Sequence, residues 1–374
     1  MQTRFYPSAI RRSSKLLGSL ILVSLTLMLG ASVALASTNG RVLMKTTWRA
    51  EMRHLAVPPR GCFAGSYPTL EWRPVQCHAA PDIPFTPRDI PGIVNHVVHL
   101  INPQTRSGAG PTHEEIGGGY DYSAQVSSGS ISSATGSFPN VSPGSTETGV
   151  NPYTGSTEAN TFSLQLNSEF FSGSPACDGA ANPSQCLAWQ QFVYSSSTGG
   201  IFMQYWLINY DAACPSGWYT YGTPDNDCYT NSETSLLTAT APTIATLESV
   251  SLTGNVETGG NDSLVMEYGS NNVSAVGADS MVALGDHWTV AEFAILGDGD
   301  GTQATFSAST TLDVKTSIND GGNSAPSCDA VGFTGETNNL SFAGAPSLSP
   351  GTEPAIETQQ TSSGGTPGCA SVGG

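Results

Sequence analysis

The sequence predicts an all-β fold, a two-sheet antiparallel β-sandwich of jelly-roll or concanavalin-like form. Three observations lead there. From Tyr120 onward short runs alternate apolar and polar residues, clusters of Gly, Ser, Asn, Asp and Pro separate those runs, and no stretch carries a convincing helical period. Strands that bury one face each are most simply satisfied by stacking two sheets. The expected strands are 122–126, 130–139, 161–167, 188–194, 201–210, 246–253, 263–268, 272–278, 281–284, 288–296, 302–306 and 310–316. Residues 119–342 would form this acidic body, and 343–374, rich in Gly, Ser, Thr and Pro, an irregular low-complexity tail.

Two segments precede the body. Residues 1–36 read as a signal peptide, because Arg4, Arg11, Arg12 and Lys15 lead into an apolar run that ends in the small-x-small site Ala34-Leu35-Ala36. No other stretch is apolar enough to span a bilayer, so a secreted product free of the membrane after signal cleavage is expected. Residues 37–118 read as a basic propeptide and linker, with a glycine-rich stretch over 107–119 suited to a processing cut. Eight cysteines in an exported chain point to disulfides. Near neighbours suggest Cys62–Cys77, Cys177–Cys186, Cys214–Cys228 and Cys328–Cys369, although spacing alone leaves the connectivity open.

The net charge of −17 is unevenly placed. Between Arg41 and Arg106 eight bases face four acids, whereas from Ser107 onward Lys315 alone faces twenty-six acids. A basic piece and an acidic body attract at neutral pH, and the attraction weakens as carboxylates protonate. A body with no basic patch argues against nucleic-acid binding. Its scarcity of Lys and Arg suits work in acid, where surplus cations would repel one another.

Candidate chemistry centres on Glu292, the one charge in the strand 288–296. Alternation puts it on a face with Trp288, Val290, Ala294 and Leu296, and an unpaired buried carboxylate is costly, so a partner is expected. Other chemistries lack parts. From Ser107 onward only His113 and His287 occur, which leaves no multi-histidine metal site, and His96 with His99 is too small a set on its own. No Gly-x-Ser-x-Gly elbow is present, and Gly297-Asp298-Gly299-Asp300-Gly301 lacks the later acid of a calcium loop, so it reads as a tight turn. No cofactor or metal is expected. In Ala188-Trp189-Gln190-Gln191-Phe192-Val193-Tyr194, Gln190 faces with Phe192 and Gln191 with Trp189, and the next strand carries Phe202, Tyr205, Trp206 and Tyr210.

The order of these motifs resembles the glutamic peptidases (eqolisins). Tyr122-Ser123-Ala124-Gln125 is followed by Gly136-Ser137-Phe138-Pro139. Then come Leu187-Ala188-Trp189-Gln190, Met203-Gln204-Tyr205-Trp206, Ala291-Glu292-Phe293 and Ala304-Thr305-Phe306, in the family's order over about residues 120–316. The resemblance implies a sandwich with a Gln/Glu pair in its concave face. Glu292 would be the base that activates water, and Gln190 would orient that water and donate to the oxyanion. Gln191, Gln165 and Gln204 remain alternative amides. Trp189, Tyr205, Trp206 and Trp288 would line the substrate groove. The implied protein is a monomeric, secreted, acid-acting endopeptidase of polypeptide substrates, held as a zymogen by its own propeptide. The competing expectation is a non-catalytic secreted sandwich that binds carbohydrate, or a surface protein, using an aromatic groove. A glycoside hydrolase would need a second carboxylate across the groove, and none is evident beside Glu292.

Overall fold

The computed structural model describes residues 44–88, 115–222, 226–364 and 368–369. The expected signal peptide and the histidines His96, His99 and His113 lie outside them. Residues 1–51 and 52–374 form two units. Within the first, 44–51 is helical.

The fold is the expected all-β, two-sheet antiparallel sandwich. One large sheet runs β2 (Arg73–Val75), β1 (Cys62–Ser66), β16 (Asn271–Ala278), β15 (Asn261–Tyr268), β14 (Val250–Asn255), β5 (Ser133–Val141), β19 (Thr311–Asn319), β24 (Ala355–Thr361) and β22 (Ser341–Phe342), with β23 (Ser347–Ser349) also on β24. The other runs β11 (Tyr219–Tyr221), β12 (Asp227–Asn231), β10 (Gly200–Ile208), β9 (Leu187–Ser195), β8 (Ser163–Asn167), β17 (Val290–Leu296), β4 (Ser123–Gln125) and β20 (Ser327–Asp329), with β13 (Ser235–Leu236) on β10. A smaller sheet links β3 (Ile116–Gly117), β21 (Thr337–Asn338), β18 (Gln303–Phe306), β6 (Glu147–Val150) and β7 (Thr157–Ala159), and its β18/β21 pair is parallel.

The two large sheets bury their inner faces against each other. Phe293 of β17 lies 5.3 Å from Phe138 of β5 between ring centroids. A Cβ on Gly136 would sit 2.0 Å from that Phe293 ring, so β5 needs a glycine where the ring seats. Gly254 of β14 does the same for Phe192 of β9, where a Cβ would come within 2.7 Å of the ring. Both aromatics are thereby locked, and with them the strand that carries Glu292. All four near-neighbour disulfides form, Cys62–Cys77, Cys177–Cys186, Cys214–Cys228 and Cys328–Cys369. Among the described residues no helix is long and apolar enough to cross a membrane.

Four expectations need correction. Within the expected irregular tail 343–374, residues 343–364 are not irregular: β24 is an internal strand with Ile356, Thr358 and Gln360 buried, and it covers what would otherwise be the open edge of β19. Its polar Thr and Gln hide the alternation. Residues 52–88 and 115–118, expected as propeptide and linker, contribute strands to the body's sheets, since β1 pairs with β16 residue by residue and β3 pairs with β21. Residues 246–253 begin as a 3-10 turn over Ile244–Ser249, because Thr243 and Thr246 exchange capping hydrogen bonds before β14 starts. The 281–284 run is two tight turns gathered around Asp279, whose carboxylate accepts the Gly259 and Gly285 N–H groups at 2.8 Å each.

The role of β24 is testable. Ile356→Ala should cost about 2–5 kcal/mol, as buried Ile truncations do. Leu348→Ala, on a side chain 44 % exposed, should stay within about 0.5 kcal/mol of wild type. Denaturant unfolding of both variants would show equal small effects if the tail were loose.

Candidate functional site

Register builds the site. Glu292 stands opposite Asn167, Asn167 opposite Gln191, Gln191 opposite Gln204, and Gln204 opposite Asn231. Directly opposed residues in antiparallel strands share a face, so these five form one polar row across β17, β8, β9, β10 and β12. It lies on the face turned away from the inter-sheet core. On one flank Trp189, Trp206, Tyr229, Val290 and Phe333 cluster, joined by Phe170. On the other, Val193 and Phe202 pack with Ile83 and Phe85.

Residues 81–88 lie across this row. Asn231 Nδ2 donates to the Pro81 carbonyl at 2.7 Å and the Tyr229 hydroxyl to that of Asp82 at 2.9 Å. Gln204 uses both ends of its amide, donating to the Ile83 carbonyl at 3.0 Å and accepting the Phe85 N–H at 2.7 Å. Asp300 N–H donates to the Pro84 carbonyl at 2.8 Å. Glu336 accepts the Thr86 N–H at 2.8 Å, while Gly335 N–H donates to the Thr86 carbonyl at 2.7 Å. Pro87 bridges to Thr334, and Arg88 N–H donates to the Phe333 carbonyl at 2.9 Å. The Phe85 ring enters the Val193/Phe202 pocket with its centroid 5.8 Å from that of Phe202. At the far end the Arg88 guanidinium lies 5.7 Å from the Phe170 ring centroid. Burial lowers its pKa, while the charges of Glu292 and Asp329 counter that.

Glu292 itself is fully buried. Its Oε2 accepts Asn167 Nδ2 at 2.9 Å and the Phe333 N–H at 3.0 Å. Beside it sits a second buried carboxyl, Asp121, placed just before β4 by the turn at Gly117-Gly118-Gly119, all three with positive φ. A Cβ on Gly117 would come within 2.0 Å of the Glu336 carbonyl, so only glycine allows that approach. Burial raises both carboxyls, and their mutual hydrogen bond raises Asp121 while easing Glu292 down.

The sequence-based site is only partly assembled. Gln190 does not meet Glu292. It points into the inter-sheet core, where its Nε2 donates to Asp262 Oδ2 of β15 at 2.9 Å, because it pairs across β10 with inward-facing Tyr205. Gln191 and Gln204 lie on the Glu292 row, and Gln165 links that face to Glu336 by a 3.4 Å hydrogen bond. The amide that reaches Glu292 is Asn167. Of the four groove aromatics, Trp189 and Trp206 are on the Glu292 face, whereas Tyr205 and Trp288 belong to the core. Trp288 precedes the strand, held by a hydrogen bond from its N–H to the Leu284 carbonyl, so alternation counted back from Glu292 fails there. Asn167 and Asp121 were missed because strand order, which makes β8 the neighbour of β17, is not written in any single strand. Among the described residues no group of three or more His, Cys, Asp or Glu is arranged to hold a metal ion.

Comparison of the chain with protein families, curated proteins and solved structures finds no match. The site therefore has to be read from its own residues.

The buried acids set the pH dependence of stability. Burial pushes Glu147 up to about 8 and Asp262 up to about 7, and it also raises Asp121, Glu292, Asp298 and Glu336. A carboxyl with a raised folded pKa binds its proton more tightly when folded. Its contribution is complete below the unfolded value near ~4 and is lost as pH rises through the folded value. Thermal midpoints should therefore fall from about pH 4 to about pH 8, and Glu147→Gln should flatten the upper part of that slope. A midpoint that climbs over the same range would contradict this account.

Proposed function

We propose that this chain is an exported, acid-acting endopeptidase of the glutamic peptidase type, with residues 81–88 as the part of a prosegment that keeps its groove shut. One observation carries the reading. An extended stretch of polypeptide lies across the polar row, hydrogen-bonded through its backbone from the Pro81 carbonyl to the Arg88 N–H, and ends beside Glu292. A groove that binds eight residues of its own chain this way has the donors and acceptors to bind another chain.

In this reading Glu292 takes a proton from water as the water adds to a peptide carbonyl, and Asn167 Nδ2, in place of Gln190, supplies the amide donor to the developing oxyanion. In the closed form burial holds the Glu292 pKa above the ordinary carboxylate range. Departure of the segment admits water, eases that burial and returns the carboxyl toward its ordinary range, where it ionises in acid. Acid also weakens the hold of the segment, since the attraction between Arg88 and Glu292 and the acceptor role of Glu336 both decline as carboxylates protonate. The binding-module reading has less support. Trp189 and Trp206 are buried against neighbours, and Tyr205 and Trp288 present no sugar-stacking surface.

The test is to produce the chain in an oxidising compartment, lower the pH from 7 to 3, and follow both chain length and digestion of a denatured protein. Digestion should begin in acid and fall by at least about 10²-fold in Glu292→Gln, the scale of a lost general base. Phe85→Ala removes the ring that anchors the segment and should raise activity at pH 5 by about tenfold or more, since truncating a buried Phe costs about 3–5 kcal/mol. A wild-type chain inert at every acid pH would end the peptidase reading.

A further inference from the structure

Among the described residues, Glu292 and Asp121 each keep one carboxyl oxygen without a donor. Glu292 Oε2 is satisfied by Asn167 and Phe333, and Asp121 Oδ1 by the Tyr122 N–H at 2.7 Å. Among the described residues, no N–H or O–H donates to Glu292 Oε1 or Asp121 Oδ2. Glu292 and Asp121 border the same glycine. A Cβ on Gly332 would stand 2.8 Å from Glu292 Oε1 and 3.2 Å from the Asp121 Cβ, so both residues crowd a position that has no side chain. A single proton shared between the two carboxyls satisfies both oxygens, and two buried carboxylates in contact cannot both hold charge. Glu292 has two N–H donors and Asp121 one, which leaves the charge on Glu292. The other charged group acting on Glu292 is Arg88, from the 81–88 segment, which also feels the charge of Asp329 of β20.

We propose that Asp121 is a second catalytic carboxyl, the acid to the base Glu292, so that the site hydrolyses peptides with a mixed Asp/Glu pair as well as an amide. The inference rests on the peptidase reading above. In the first step the water oxygen bonds to the carbonyl carbon, Glu292 takes the water proton, and Asp121 gives its proton to the carbonyl oxygen, producing a neutral geminal diol. In the second, Glu292 delivers its proton to the amide nitrogen, the C–N bond breaks, and Asp121 recovers a proton from one diol hydroxyl as the carbonyl reforms. Both carboxyls end as they began.

The experiment compares Asp121→Asn with wild type on the full chain, measuring kcat and KM against pH after acid activation. Asparagine keeps an acceptor for the Tyr122 N–H and a donor for Glu292 Oε1, but it cannot release a proton. The expected result is a kcat at least about 10²-fold lower, KM within a few-fold, and loss of the alkaline limb of the pH profile that reports the shared proton. Asp121→Glu should recover part of the rate. Wild-type kcat with both limbs intact in Asp121→Asn would overturn the proposal and leave the peptidase reading standing, whereas an inert wild type would overturn both. If Asp121→Asn does not fold, infrared difference spectra of wild type against Glu292→Gln at neutral pH decide. A protonated-carboxyl band lost in Glu292→Gln supports the pair, and its absence from wild type overturns it.

Discussion

The burial of a carboxyl in the middle of β17 is the constraint on which the surrounding structure turns. An ionised carboxylate taken out of water without partners is costly enough to be neutralised or to unfold its surroundings. The protein meets that cost from three directions. Asn167 arrives through strand register, the Phe333 N–H through the loop after β20, and Asp121 through the glycine turn before β4. Each arrival imposes its own requirement. The loop must carry Gly332, because any side chain there would strike Glu292 Oε1. The turn must be glycine at 117, where a Cβ would collide with the Glu336 carbonyl. Much of what looks like loose Gly-rich connection in the sequence is the packing shell of one acid.

The same row of amides explains why the groove suits a polypeptide. A peptide backbone presents a donor and an acceptor at each residue, and a carboxamide is a neutral side chain that can answer both from separate atoms. Gln204 does so for Ile83 and Phe85, acting as a short strand edge, while Asn231 answers Pro81. The side chains alternate as they would from a strand, so Ile83 and Phe85 fall together into the pocket of Val193 and Phe202. Backbone contacts hold the segment in place and side-chain pockets select its residues, as in other strand-addition modes of recognition.

How far this was legible in the sequence follows from what each inference needed. Local alternation was enough to find β4, β5, β8, β9, β10, β15, β16, β17, β18 and β19, and cysteine proximity was enough to suggest the four pairs that form. Alternation also put Gln190 and Gln191 on opposite faces. It could not say which face is the groove, because both carry large aromatics: Tyr205 inward and Trp206 outward on one strand. The partner of Glu292 depended on strand order, a property of the whole chain. Asn167, at the end of β8, becomes legible only once β8 is known to lie between β17 and β9. In β24 the local signal was present but masked, since Thr and Gln can fill buried positions when their polar groups are bonded.

The distribution of charge gives these parts a common logic. From Ser107 onward the chain carries one lysine, so the body has almost nothing with which to balance its acids. At the site the cation comes instead from Arg88, on the segment that covers the groove. Under the proposed function, removing that segment removes the charge that steadies Glu292 as an anion, and it also admits the water that can replace it. The two effects oppose each other, and solvent decides the balance, because hydration stabilises an exposed carboxylate more effectively than one guanidinium stabilises a buried one. A body free of cations can then be opened in acid without gaining repulsion, and its buried, protonated carboxyls favour the folded state under the same conditions. Stability in acid and exposure of the carboxyl pair thus follow from a single choice, which is to keep the positive charge on the part of the chain that leaves.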